Sequence, residues 1–356
     1  MMESRATLAH HVNKYHNERV VPRKAKVSQT VQDVGSIVAS ILKEVQRREP
    51  RFLGALNETE GRVEGLEVIS PSEYQVVLCL NHTGVFTFNE ERSIPGCAML
   101  KLSDGRKRSM SLWIEFITAS GYLSARKVRS RFLSLVAQVL GKLNYGSMVT
   151  LDRDTTEVKL RIRDSIVVRV IPAFKCSALW PNSAHHWPDP GTSWPPVSKI
   201  AEVKAIGFNL LSKDCVVTNE MNSSSESDAW MMSFAEAEDR LLECASGCRR
   251  RCLSILKTLR DRHLDFSGSP LNNYHMKMLL LYECEKHPGD LEWNTSSIGD
   301  RLKLVSCLRC HRLPHYFLPG VDLFATSATP SLDEAARKVW CLTRQIITNS
   351  KSFDHL

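Results

Sequence analysis

At 356 residues the chain exceeds what one hydrophobic core comfortably serves, so one large or two intimate domains are expected. Apolar residues make up 43% and charged residues 24%, the balance of a globular protein, and no run of about 18 apolar residues exists to span a membrane. The net charge of +8 is gathered in clusters and suits phosphate or nucleic-acid partners; the eleven cysteines, several inside apolar runs, fit free thiols better than a disulfide framework. The opening Met1-Met2-Glu3-Ser4-Arg5 lacks the apolar core of a signal peptide, so the expected location is intracellular, nucleus or cytoplasm.

Residues 5 to 20 read as helical, with Pro22 expected to interrupt them. From Lys24 to Arg48, Val27, Val31, Val34, Ile37, Val38, Ile41, Leu42 and Val45 recur at steps of three and four, predicting an amphipathic helix closed by Pro50. Roughly 24 helical residues reach about 36 Å, the length of a spine for a whole lobe. Arg23, Lys24 and Lys26 load its first turn with positive charge.

Gly65 to Leu80 predicts two short strands joined by a Ser-Pro turn. Glu73 and Gln75 are two apart and share a face, and the run Val76 to Leu80 is expected to be buried on both faces. A carboxylate at the head of a buried strand is how metal-dependent phosphoryl-transfer enzymes hold a divalent cation. A two-magnesium clamp needs several carboxylates, however, and position 75 is an amide. Further strands are predicted at Gly84–Phe88, Cys97–Leu102 and Met110–Phe116, the last two joined by a hairpin turn at Asp104-Gly105.

From Ser124 to Leu143 runs a basic amphipathic helix opening with Arg126, Lys127, Arg129 and Arg131, the candidate contact for RNA or DNA. Val158–Arg163 alternates as a half-exposed strand and Ile166–Pro172 follows as another, completing an α+β lobe with a mixed sheet. The stretch from Trp180 to Val197 holds three tryptophans and five prolines and reads as a loop whose aromatics pack, and Thr218–Asp228 reads as a surface loop. Beyond it the pattern is helical at Trp230–Glu243, Arg249–His263, Asn272–Glu285, Ile298–Cys310 and Leu332–Thr348. The chain thus divides into a core lobe over 1–200 and a helical lobe over 201–356. Cys307-x2-Cys310-His311 with His315, and Cys244-x3-Cys248-x3-Cys252, tempt a metal reading, but their steps also continue single helix faces, so they are read as core thiols with no zinc or haem expected.

The stretches Glu64–Pro71, Leu102–Trp113, Ser120–Lys127, Leu253–Arg260, Asn272–Lys277 and Pro314–Pro319 together resemble the male-abnormal twenty-one-like (Mab twenty-one) family of animal development, related to cyclic GMP–AMP synthase. The likeness covers essentially the whole chain. It implies a nucleotidyltransferase fold: a spine helix, a central sheet bearing an acidic site, a C-terminal helical bundle, and a nucleotide cleft between lobes. On the same likeness Glu73 matches the first metal carboxylate, Gln75 the second, now an amide, and Arg169 the third, now a cation that cannot be deprotonated. Glu67 or Asp164 could partly substitute. Active relatives bind the triphosphate with a Gly-Ser turn, and the matching stretch Gly61-Arg62-Val63-Glu64-Gly65 lacks that pair. Lys257 matches a phosphate-facing lysine, with Arg250 and Ser254 about a turn away, and Tyr274 matches a base-stacking aromatic. Asn273 stands where a serine is usual, and Met231 where a base-stacking arginine stands.

The expected nucleotide contacts are therefore Arg23, Lys24, Val63, Glu64, Gly65, Leu66, Arg250, Ser254, Ile255, Leu256, Lys257 and Tyr274, with at most a single magnesium ion at Glu73 and Gln75. Three functions compete. The first is an ATP- or GTP-binding regulatory or scaffold protein with weak or no catalysis. The second is an active metal-dependent nucleotidyltransferase, triggered by nucleic acid. The third is a nucleic-acid-binding module on helix 124–143. A homo-oligomer is compatible with each, and no membrane partner is expected.

Overall fold

The structure, a computed structural model, describes residues 5–52, 58–59, 62–63, 66–80, 86–90, 94–102, 112–143, 145–152, 156–217, 225–226, 228–243, 248–293 and 311–356. Helix α1 (Arg5–Tyr15) passes through a π-helical turn, His16–Val20, directly into α2 (Val21–Arg48). Pro22 does not interrupt the chain as expected. It lies in the first turn of α2, where a missing N–H costs least, and the wider turn lies just ahead of it. The 28 residues of α2 rise about 42 Å. The predicted stripe is buried at Val31, Val34, Val38, Ile41, Leu42 and Val45.

Among the described residues ten strands form one mixed sheet. They are β1 (Leu66–Ser70), β2 (Glu73–Cys79), β3 (Phe86–Glu90), β4 (Cys97–Leu102), β5 (Tyr122–Leu123), β6 (Val149–Leu151), β7 (Val158–Ile162), β8 (Ile166–Cys176), β9 (Phe208–Leu211) and β10 (Trp230–Ser233). The spatial order is β1-β2-β8-β9-β10-β4-β3, with β5 on β4 and β6-β7 on β8. Among the described strands only β2 and β8 run parallel, in the register Glu73↔Val167 and Gln75↔Arg169. Helix α3 (Ala125–Leu140) lies against β7 and β8 and buries Val128, Phe132, Leu135 and Val139. Its N-cap Ser124 accepts from the Lys127 amide at 3.0 Å. Trp113, Phe174 and Trp230 pack edge to face in the same core.

Several local expectations are corrected. The run Val76 to Leu80 is not buried on both faces: Val76, Leu78 and Leu80 are buried, while Val77 and Cys79 are half-buried, the alternation of an antiparallel or mixed sheet. Residues 112–116 are a helical turn, not a strand, with Trp113 and Phe116 held inward beneath the Arg51 guanidinium. Residues 110–111 and the Asp104-Gly105 turn lie outside the described residues. The partner of β4 is β3, not 110–116. Trp230–Ser233 is a strand, because it pairs with β9 and β4, with Trp230 and Met232 buried on one side and Met231 and Ser233 half-buried on the other. Helix α5 (Ala235–Glu243) begins only after it.

The proline-rich stretch ends in α4 (Val197–Ile206), and Trp187 and Trp194 are buried. Gly207, φ +73°, joins α4 to β9: a Cβ there would sit 2.0 Å from the Cys176 carbonyl oxygen. The C-terminal helices are α6 (Arg249–Leu259), α7 (Asn273–Lys286) and α8 (Thr329–Thr348). The predicted helix Ile298–Cys310 falls outside the described residues, as does most of the loop Thr218–Asp228, of which Ser225–Glu226 pairs with Val216–Val217.

By its internal contacts the chain forms two units: Ser28–Ser183 with Ala205–Ala235, which carries the sheet, α3 and most of α2, and Met1–Val27 with Ala184–Lys204 and Glu236–Leu356, which carries the C-terminal helices.

Candidate functional site

In the sheet unit, the Ser70-Pro71-Ser72 turn sets Glu73 at the head of β2; the Tyr74 hydroxyl donates to the Pro71 carbonyl at 2.9 Å and pins it. Tyr74, Val76 and Leu78 point into one face, so Glu73 and Gln75 share the other, as predicted. Arg169 reaches that face from β8. Its Nε and Nη2 lie 2.9 and 2.8 Å from one oxygen, Oε1, of Glu73. Its Nη1 lies 3.9 Å from Glu157 Oε2. Gln75 is 5% exposed and donates through Nε2 to Glu67 Oε2 at 3.1 Å.

Each polar member of the face therefore already has a partner from this chain. A charge-assisted contact between guanidinium and carboxylate is stronger than a neutral hydrogen bond. A pair of magnesium ions does not fit: one Glu73 oxygen is held by a cation and the Gln75 amide presents its donor end to Glu67. Among the described residues no three His, Cys, Asp or Glu side chains converge on one point. Of the proposed substitutes, Glu67 does sit beside Gln75, whereas Asp164 lies in the β7–β8 turn at φ +58°. Sequence reasoning missed Glu157, which also accepts from the Asp214 amide at 3.1 Å. Its only signal was its position one residue ahead of β7.

In the helical unit, Arg250, Ser254 and Lys257 recur at steps of four and three along one face of α6. Ser254 donates back to the Arg250 carbonyl at 2.9 Å. Ile255 and Leu256 are fully buried in the core, so their side chains serve packing. Partial desolvation, then the neighbouring Arg250 and Arg23, push Lys24 below the ordinary lysine range. Burial, then the like charge of Lys277, brings Lys257 down to about 8, with Asp239 and Asp261 opposing. Among the described residues neither lysine has a hydrogen-bond or ion-pair partner, while Arg23 is committed to Asp261 through Nε at 2.7 Å and Nη2.

Tyr274 is held at its hydroxyl, which donates to Glu238 Oε1 at 2.8 Å and meets His315 Nε2 at 2.9 Å. The amides of Phe317 and Leu318 point at His315 Nδ1 at 3.1 and 3.2 Å, which assigns the ring proton to Nε2. Burial keeps this imidazole neutral, with its pKa lowered to about 3. Lys277 Nζ lies 3.1 Å from Glu238 Oε2 and 5.6 Å from the centre of the Tyr274 ring. Burial raises the Glu238 pKa against the pull of Lys277.

Other predicted residues are placed differently. Leu66 opens β1 opposite Val76, and Val63 lies in a two-residue ladder with Glu58; Gly61, Glu64 and Gly65 lie outside the described residues. Met231 packs with Cys97, Cys215 and Leu211. All four basic residues of α3 touch their own chain: Arg129 donates to the Ser212 carbonyl at 2.8 Å, Lys127 to Ile117 at 2.8 Å and Arg131 to Glu49 at 2.9 Å, and Arg126 lies 3.5 Å from Asp228. Cys244, Cys307 and Cys310 lie outside the described residues; His311 pairs with Asp333 at 2.7 Å.

Residues 62–244, more than half of the chain, match the family model described as the Mab-21 protein nucleotidyltransferase domain. The chain belongs to the Mab-21 family. Residues 248–341 match the second Mab-21 domain, described as HhH/H2TH-like, and cover α6, α7 and most of α8. The mixed sheet, the long N-terminal helix and the C-terminal helices agree with the nucleotidyltransferase fold of Mab-21 proteins. Among the described residues no helix is long and apolar enough to cross a membrane.

Proposed function

We propose that this Mab-21 protein binds a nucleoside triphosphate, ATP or GTP, through Lys24, Arg250 and Lys257, and turns it over weakly or not at all. It then acts in animal development as a regulatory or scaffold protein, the role that the family likeness implies. One observation carries the catalytic half of this reading: the Arg169 guanidinium occupies the Glu73 carboxylate. The binding half rests on Lys24 and Lys257, which have no hydrogen-bond or ion-pair partner among the described residues, the second being half-buried with Asp239 and Asp261 acting on it only through their charge.

Isothermal titration with ATP and GTP, with and without magnesium, tests binding. Lys257→Ala is expected to weaken it about tenfold, the loss of ~1.4 kcal/mol. No binding by the natural protein, or equal binding by the variant, removes the reading.

A second reading keeps an active nucleotidyltransferase, triggered by nucleic acid. It is favoured by two carboxylates beside the altered positions, Glu67 next to Gln75 and Glu157 next to Arg169. Labelled product that appears with the natural protein and vanishes in Glu73→Ala would establish it.

A further inference from the structure

Cys97 and Cys215 are 118 positions apart, yet their sulfurs lie 3.1 Å from each other. Cys97 opens β4, and Cys215 ends the short segment 212–215 that leaves β9. Both are 3% exposed and sit in a small apolar cluster with Ala229, lined by Ile94, Met99 and Met231. A disulfide bond is about 2.05 Å, so closing one here needs a shift of about 1 Å.

The segment bearing Cys215 is held from two sides. Arg129, 1% exposed on α3, donates to the Ser212 carbonyl at 2.8 Å, and its Nη2 lies 3.9 Å from Asp214. On the other side the Asp214 amide donates to Glu157 Oε1 at 3.1 Å, and Glu157 Oε2 faces Arg169, the residue bonded to Glu73. The thiol pair is thus one residue from a hydrogen bond that ends on the altered acidic face.

We propose that Cys97 and Cys215 form an oxidisable pair, closed to a disulfide by a small hydroperoxide, and that closure fixes the 212–215 segment and with it Glu157 beside Arg169. The steps balance. The Cys215 thiolate attacks the outer peroxide oxygen, the O–O bond breaks, and sulfenic acid forms as alcohol, or water from hydrogen peroxide, departs. The Cys97 sulfur then attacks the sulfenic sulfur, the S–S bond forms, and water leaves with the Cys97 proton. Two thiols are oxidised by two electrons and one hydroperoxide is reduced. Cys215 is the attacking partner because the Cys97 hydrogen bond and then the Arg129 charge hold its thiol below the ordinary range against burial. Burial sets the rate: only a small oxidant reaches the pair, and only as fast as the segment opens.

The test uses the full natural chain, incubated with hydrogen peroxide, alkylated and mapped by mass spectrometry without reduction. The expected product is one cross-linked peptide joining Cys97 to Cys215, lighter by two hydrogens and released by dithiothreitol. It is absent in Cys97→Ser, where Cys215 becomes open to alkylation after partial unfolding. Recovery of both cysteines as alkylated thiols while the exposed Cys341 oxidises would overturn the pairing, and needs no variant that folds. Hydrogen exchange reads the second half: the Asp214 amide should exchange about tenfold more slowly in the oxidised protein. Equal exchange in the two redox states would overturn the coupling to Glu157. Neither measurement depends on nucleotide binding, so failure of that reading leaves this one to be judged by itself.

Discussion

Arg169 decides the chemistry of the acidic face through one oxygen atom. With Nε and Nη2 both on Glu73 Oε1, the guanidinium supplies the positive charge that a metal ion would otherwise bring. Both side chains are about one-third exposed, so the pair adds less than ~1 kcal/mol to stability and its effect is on binding. Arg169→Asp should therefore fold normally and place a second carboxylate across the β2–β8 register from Gln75. Calorimetric titration with manganese is expected to show affinity at least about tenfold above the natural protein, one cation being exchanged for one anion at contact distance. Equal manganese affinity would show that Arg169 is not what excludes the ion.

Lys257 offers a second test at this scale. Its pKa of about 8 leaves it charged at pH 7 and largely neutral at pH 9. If it holds phosphate, nucleotide affinity falls about tenfold across that range, because only the ammonium attracts the anion. The fall should vanish in Lys257→Ala.

Among the elements, α5 and α7 are joined by the buried carboxylate of Glu238, 0% exposed, which takes Lys277 on one oxygen and Tyr274 on the other. Breaking a buried pair from one side leaves an uncompensated charge. Lys277→Met is expected to cost ~3–5 kcal/mol at neutral pH by urea unfolding. The cost should shrink in acid, since the orphaned Glu238 then protonates: its pKa is already raised in the folded state, and raising it further makes stability fall as pH rises. Combining Lys277→Met with Glu238→Gln should restore most of the loss.

The sequence could announce α7 through its Asn272 cap, which also appears in the structure as a capping box with His275, and α2 through its stripe of valines and isoleucines. It could not announce Trp230–Ser233, where four residues are too few to separate a buried strand from a helix start, and the strand exists because β9 and β4 flank it. The candidate site divides likewise. Glu73 is legible as a lone acid after a Ser-Pro turn. The grip of Arg169, the donor sense of Gln75 and the approach of Glu157 are products of cross-strand register among β1, β2, β7 and β8, which no local pattern encodes.

For the molecule as a whole, a net charge of +8 invites nucleic acid, but charge acts through groups free to meet phosphates. On α3, whose basic opening made it the candidate contact, Arg129 is buried, Lys127 and Arg131 are bonded within the chain, and Arg126 lies beside Asp228. Were all four on phosphate, the logarithm of duplex DNA affinity would fall with the logarithm of salt at a slope near about −3.6, since each contact contributes about −0.9. With Arg129 buried, Lys127 half-buried on the Ile117 carbonyl and Arg126 and Arg131 the exposed pair, the expected share of the slope from α3 is about −1.8 or shallower. Fluorescence anisotropy with a labelled duplex across a salt series measures it. A share steeper than about −3, read as the difference in slope between the natural protein and the variant with Arg126, Lys127, Arg129 and Arg131 replaced by Ala, would mean that these side chains leave their partners for DNA, and would restore the helix as a nucleic-acid face.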